Sequence, residues 1–306
     1  MILQRKLIQL SPSTYVVSLP TEWLKKQNLK KGSSVVMDVT DSSVHIESSS
    51  RRVKPKISVD LHGLNERMVR WYISALYKKG FDELEINYDT EEQFTLIQKI
   101  QAETLMGYEL VETKLQCCVL KNVIIEDEKE FETMLSKAFM VTVQMAEKVH
   151  KSLQLGVFEN PQNFFDDEVM NNKLTNFCEK LINSGKHAVS YPSFLYLIVW
   201  NLEKIADTYK YIVQVLQGRK FVVDEQLLDA SKMILAMLRK YYSLFYKYDL
   251  SLLNLVEEEK KKILKTLDYN PRNHDNMLLQ NHFFALLYKL LDFSGSLVGM
   301  YSMEKK

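Results

Sequence analysis

The sequence predicts an α+β chain in three parts: a small N-terminal β-domain, a small α/β middle segment and a C-terminal all-α bundle. Three observations predict it. Residues 1–50 hold short β-branched runs separated by turn compositions. Residues 56–123 alternate strand-like and helix-like stretches. From Glu126 onward apolar residues recur at helical spacing, and with 9 glycines and 6 prolines in 306 residues the chain has few helix breakers.

In the first part, Leu3 to Leu10 and Tyr15 to Leu19 read as strands around the turn Ser11-Pro12-Ser13-Thr14. A short helix follows, with Pro20 in its first turn, where a missing N–H is no loss, and Lys30-Lys31-Gly32-Ser33 stops it. Val35 to Val39 and Val44 to Glu47 read as a hairpin around residues 40–43, and Ser48 to Lys56 as a polar, basic linker.

The middle segment reads β-α-β-α-β-β: Ile57–Leu61, Asn65–Lys79, Glu83–Tyr88, Thr90–Met106, Tyr108–Glu112 and Leu115–Lys121. Gly80 and Gly107 stop its helices. That order predicts a small sheet with helices on one face, and no glycine-rich phosphate loop stands at either strand-to-helix turn.

The third part, residues 126–306, reads as six helices: Asp127–Leu155, Phe165–Asn183, Ser193–Gln217, Asp224–Asp249, Leu252–Leu267 and Asn276–Ser302. In the third, Leu195, Ile198, Leu202, Ile205, Tyr209, Ile212 and Leu216 form a 3-4 stripe, the seam of a bundle. Leu202-Glu203-Lys204-Ile205-Ala206-Asp207 aligns with Leu287-Tyr288-Lys289-Leu290-Leu291-Asp292, which predicts two three-helix repeats. Phe139, Met140, Phe164, Phe165, Met233 and Met237 are expected in the core.

Apolar residues are 46% and charged residues 26%, enough for a sizeable core, so global disorder is excluded. No apolar run reaches a membrane span, and the start lacks a signal-peptide core, so a cytoplasmic location is expected. The net charge of +1 hides an asymmetry. Residues 1–56 carry ten basic and four acidic side chains, and the rest is mildly acidic, which points the head at a polyanion. Cys117, Cys118 and Cys178 form no disulfide framework or zinc spacing, so reduced, mostly buried thiols are expected.

Glu203 and Asp207, four residues apart, leave the same helix face, away from the Leu202–Tyr209 seam. Oxygens on such a turn suit a cation; equally, the pair fits a solvated face beside Lys204 and Lys210. Asp166, Asp167 and Glu168 are expected to open the second bundle helix, where they face the pair across the bundle as further oxygen donors, with Asn172 adding one, or simply complement the helix dipole. Glu257, Glu258 and Glu259, followed by Lys260 to Lys262, read as a solvated face. The six histidines show no metal-pair spacing and no nucleophile–base pairing, so no enzyme is expected.

Two stretches resemble known families. Ser13 to Trp23, with Leu29-Lys30-Lys31-Gly32 and Val35-Val36-Met37, resembles the swapped-hairpin fold of the AbrB/SpoVT/MazE group. The resemblance implies an interlocked homodimer and DNA contact through Arg5, Lys6, Lys25 and Lys26. Asn201-Leu202-Glu203-Lys204-Ile205-Ala206-Asp207 resembles the E-x-x-x-D signature of PhoU proteins. That implies a bundle of two three-helix repeats holding a metal cluster of iron, zinc or another divalent ion, with Glu203, Asp207, Glu168 and Asp292 as ligands. Tyr288 replaces the glutamate of the second copy and leaves Asp292 alone there. Head followed by bundle is similar to archaeal phosphate uptake regulators. It implies a DNA-binding regulator of phosphate transport or, alternatively, an adaptor docking on a phosphate transporter ATPase or sensor kinase, its head serving only dimerisation.

Overall fold

The computed structural model describes residues 3–39, 44–48, 56–124, 128–184 and 191–301. Residues 40–43, the linker residues 49–55, the break at Gly185, and the ends expected at Asp127 and Ser302 lie outside the described residues. The chain divides into two compact units, Met1–Pro55 and Lys56–Lys306.

In the first unit β1 (Ile8–Ser11) and β2 (Thr14–Val16) form an antiparallel hairpin. Pro12 and Ser13 make its turn, and a register irregularity between Gln9 and Ser11 bends β1. The strand expected from Leu3 begins only at Ile8, because within one chain residues 3–7 gain no ladder partner. Helix α1 (Thr21–Lys26) starts after an extended Pro20 and ends in Lys25 and Lys26. Gly32, at φ +88°, makes the turn into β3 (Val35–Val39), which pairs antiparallel with β4 (Val44–Ser48). None of the residues of this unit with a described side chain is buried.

The second unit opens with a four-stranded sheet, β5 (Lys56–Asp60), β6 (Glu83–Asn87), β7 (Tyr108–Lys114) and β8 (Cys117–Asn122), ordered β5-β6-β8-β7. β5 and β6 are parallel, and the other pairings are antiparallel. Helix α2 (Glu66–Lys78) is capped by the Asn65 side chain, which accepts from the Met68 N–H, and α3 (Glu91–Thr104) by Thr90, which accepts from the Gln93 N–H. The sheet face bearing Val59, Leu84, Ile86, Cys118 and Leu120 packs with Val69, Ile73, Ile97 and Ile100 of these helices into one core. On its other face Lys56 pairs with Glu83 and Glu85, a cross-strand charge ladder.

Six helices follow: α4 (Glu128–Leu155), α5 (Pro161–Ser184), α6 (Pro192–Leu216), α7 (Glu225–Tyr246), α8 (Leu250–Leu267) and α9 (His274–Tyr301). α4, α5 and α6 pack against one another, as do α7, α8 and α9; α6 lies against α9 and α4 against α7. The whole 3-4 stripe of α6, Leu195 to Leu216, is buried. Against the expectation that no apolar run reaches a membrane span, α9 is by length and composition long and apolar enough to cross one; it carries Lys289 and Asp292, and packs Phe283, Leu286, Leu290 and Phe293 into the helical core.

Three expectations change. Pro161 starts α5 a turn early, so Asp166, Asp167 and Glu168 fall in its second turn rather than opening it. Asp249, read as the end of a helix, instead caps α8, its carboxylate accepting from the N–H groups of Ser251 and Leu252. Met140 is 52% exposed, while Phe139, Phe164 and Met237 are buried and Phe165 and Met233 are half-buried.

Helix α5 joins the two cores. α2 and α3 both pack on it. At that junction the fully buried Lys180 ammonium stands over the rings of Tyr77 and Tyr108, 5.0 and 4.4 Å from their centroids.

Candidate functional sites

The α6 turn carrying Glu203 and Asp207 faces away from the buried stripe, but it is not a solvated face: the two side chains are only 17% and 18% exposed. α2 and α5 cover it with charge. Lys78, at the end of α2, places its Nζ 2.7 Å from Glu179 Oε2 of α5 and 3.3 Å from Glu203 Oε2. Lys204 Nζ bridges Glu203 Oε1 at 2.9 Å and Asp207 Oδ2 at 3.3 Å. Lys210 Nζ bridges Asp207 Oδ1 and Glu168 Oε1, each at 2.7 Å. Asn172 Nδ2 donates to the same Glu168 oxygen at 2.7 Å.

The result is an alternating chain running Glu179, Lys78, Glu203, Lys204, Asp207, Lys210, Glu168. The carboxylates hold Lys78, Lys204 and Lys210 above the ordinary lysine range against the opposing effect of burial. Glu179 is fully buried, and desolvation raises its carboxyl although Lys78 pulls it back down. Lys289 of α9 lies alongside, donating to Thr208 Oγ1 at 2.9 Å, and its burial lowers its pKa.

Of the residues expected as metal ligands, Glu168, Glu203 and Asp207 therefore come together, through lysines. Asp292 does not join them. It is exposed on α9, lining a groove with Phe194, Leu197, Trp200, Asn201 and Gly295. Both oxygens of Glu203 and both of Asp207 already face an ammonium, a donor set that does not fit a metal ion. Among the described residues no group of three His, Cys, Asp or Glu is placed to hold one. Sequence reading missed Lys78 and Glu179. Glu179 gives no signal in a helix pattern, and Lys78 reaches α6 from 125 residues away. On α8, Glu257 and Glu258 pair with Lys260 and Lys261 and stay half or more exposed.

In the head, Arg5 and Lys6 are exposed ahead of β1 instead of within the first hairpin, and Lys25 and Lys26 are exposed on the last turn of α1. Around them the apolar side chains are uncovered: Leu7 is 72% exposed, Leu10 68%, Tyr15 59%, Val36 56% and Val39 66%.

Residues 8–55 match the model of a family described as MazE antitoxin, antidote-toxin recognition, a bacterial antitoxin. The match supports a swapped-hairpin regulatory head of the AbrB/MazE class. No curated protein and no solved structure matches the chain.

Proposed function

We propose that this chain is a homodimeric, DNA-binding regulator, of the phosphate-uptake type. The observation that carries the reading is the head: its strands bury no described side chain in one chain, yet expose a run of large apolar ones. A β-domain in that condition does not hold itself together; burying those side chains against a second copy at ~25 cal/mol per Å² supplies the missing core. The basic excess of residues 1–56 then places two sets of Arg5, Lys6, Lys25 and Lys26 on one dimer, a surface suited to phosphates. The phosphate-uptake assignment is finer. It is supported by the E-x-x-x-D turn at Glu203 and Asp207 and by two sets of three packed helices.

The test is titration of the full chain into labelled duplex DNA from promoters of phosphate-transport genes at several salt concentrations. A slope of log K against log salt of about −0.9 per phosphate contacted, reduced when Arg5 and Lys6 become Ala, supports the reading. No binding at low salt overturns it.

One observation favours the adaptor as a second reading. Phe194, Leu197 and Trp200 stand 37%, 48% and 43% exposed along α6, beside Gly295 of α9. Large apolar side chains grouped in a groove suit a protein partner, such as a transporter ATPase or sensor kinase. Retention of a chain-specific partner by the full protein, lost in Trp200→Ala, with no DNA binding, would establish it.

A further inference from the structure

The E-x-x-x-D turn on α6 departs from the metal-binding use its resemblance implies, and the structure shows what stands there instead. We propose that Lys78, Lys204 and Lys210 are built-in cations. Their ammonium groups do at Glu168, Glu179, Glu203 and Asp207 what a metal ion would do, clamping α2 and α5 onto α6, and the turn takes no metal.

The geometry argues for this in three ways. First, Glu203 and Asp207 each face two ammonium groups with their two oxygens, at 2.7–3.3 Å, so a metal would have to displace two lysines to take either carboxylate bidentate and all three to use both. A tethered ammonium competes as an intramolecular ligand, at an effective concentration far above that of a free trace metal. Second, the lysines are held where they are. Lys204 lies 5.6 Å from the Trp200 ring centroid and Lys210 5.3 Å from that of Tyr211. The three are 20–30% exposed, so they are not surface lysines free to swing away. Third, the three carry the opposite charge to the sites a divalent ion needs, and Lys289 adds a fourth ammonium on Thr208 beside them. A metal approaching Asp207 meets carboxylates already matched one for one by ammonium groups, Glu168, Glu179, Glu203 and Asp207 against Lys78, Lys204, Lys210 and Lys289, so no uncompensated negative charge draws it in unless lysines leave.

The inference concerns the helical unit alone, so it stands or falls apart from DNA binding by the head. The experiment is metal analysis of the purified full chain, equilibrated separately with Zn²⁺, Mn²⁺ or Fe³⁺ and then gel-filtered, with thermal unfolding before and after chelation. The wild type is expected to retain no stoichiometric metal and to unfold at an unchanged temperature. The double variant Lys204→Met with Lys210→Met, or Lys210→Met alone where the double variant does not fold, is expected to gain Zn²⁺ or Mn²⁺ binding. Adding Glu203→Gln and Asp207→Asn should abolish the gain. Stoichiometric metal on the wild type that is lost in Glu203→Gln with Asp207→Asn overturns the proposal. So does a folded double variant that gains no metal, because the lysines would then not be what excludes it.

Discussion

Lys78 donates to Glu203 across 3.3 Å, joining the last turn of the sheet-packed helix α2 to the motif turn of α6. The same ammonium sits 2.7 Å from Glu179, so one side chain ties three helices and both cores of the second unit. Replacing Lys78 with Met leaves Glu179 as an uncompensated buried carboxylate. The expected loss is about 3 kcal/mol in urea unfolding at neutral pH. Adding Glu179→Gln should return a large part of it, because the charge that needed a partner is gone. A Lys78→Met protein as stable as the wild type would show that the pair contributes nothing.

The head predicts a mass. Light scattering on the full chain should give twice 35.9 kDa. Leu10→Asp with Val36→Asp places charge on side chains that are 68% and 56% exposed in one chain and that the proposed dimer would cover. The variant should fall to the monomer mass, with its second unit still folded. A wild type that runs as a monomer at micromolar concentration removes the basis of the dimer.

Gly156 follows α4 at φ +68°, and a Cβ there would lie 2.6 Å from the Phe221 carbonyl oxygen. The Phe221 N–H also donates to the Gly156 carbonyl at 2.9 Å, so neither backbone can yield without losing that bond. Gly156→Ala should destabilise by about 2 kcal/mol through the positive φ and the clash together. Gly218, also at positive φ but with open space around its Cβ position, should lose less on the same change.

Two histidines should titrate on opposite sides of 6.5. His150 shares a 2.6 Å hydrogen bond with Ser231, and burial, followed by the nearby Lys232 charge, lowers its pKa below 6.5. The stability contributed by its neutral form is present above pH 6.5 and is lost as pH falls through the lowered value. His62 is raised above 6.5, chiefly by its hydrogen bond with Asp60. Its contribution is complete below pH 6.5 and is lost as pH rises through the raised value. Proton NMR of the two imidazoles between pH 5 and 8.5 measures both. Asp60→Asn should bring His62 back toward 6.5 and leave His150 unmoved.

Much of this architecture was written in local pattern. The seven-residue stripe from Leu195 to Leu216 predicts a buried helix face and finds one, because a 3.6-residue period places every member on one side. The alternation of Leu84 and Ile86 with Glu83 and Glu85 likewise predicts which sheet face meets the helices. Errors fell where a local signal had two meanings. Asp249 reads equally as the end of one helix or the cap of the next, and hydrogen bonds to Ser251 and Leu252 decide it. Met140 lies in an apolar stretch but on the solvent side of α4.

The sequence by itself determined that Glu203 and Asp207 share a helix face with Lys204 and Lys210 near Asp207, since i, i+3 and i, i+4 neighbours are set by helix geometry. It also determined the basic balance of the head, which is a matter of composition. Only the tertiary structure decided what meets that face. Lys78 and Glu179 arrive from α2 and α5, brought there by the packing of two cores against α5, and no periodicity along α6 encodes an ammonium supplied from 125 residues away.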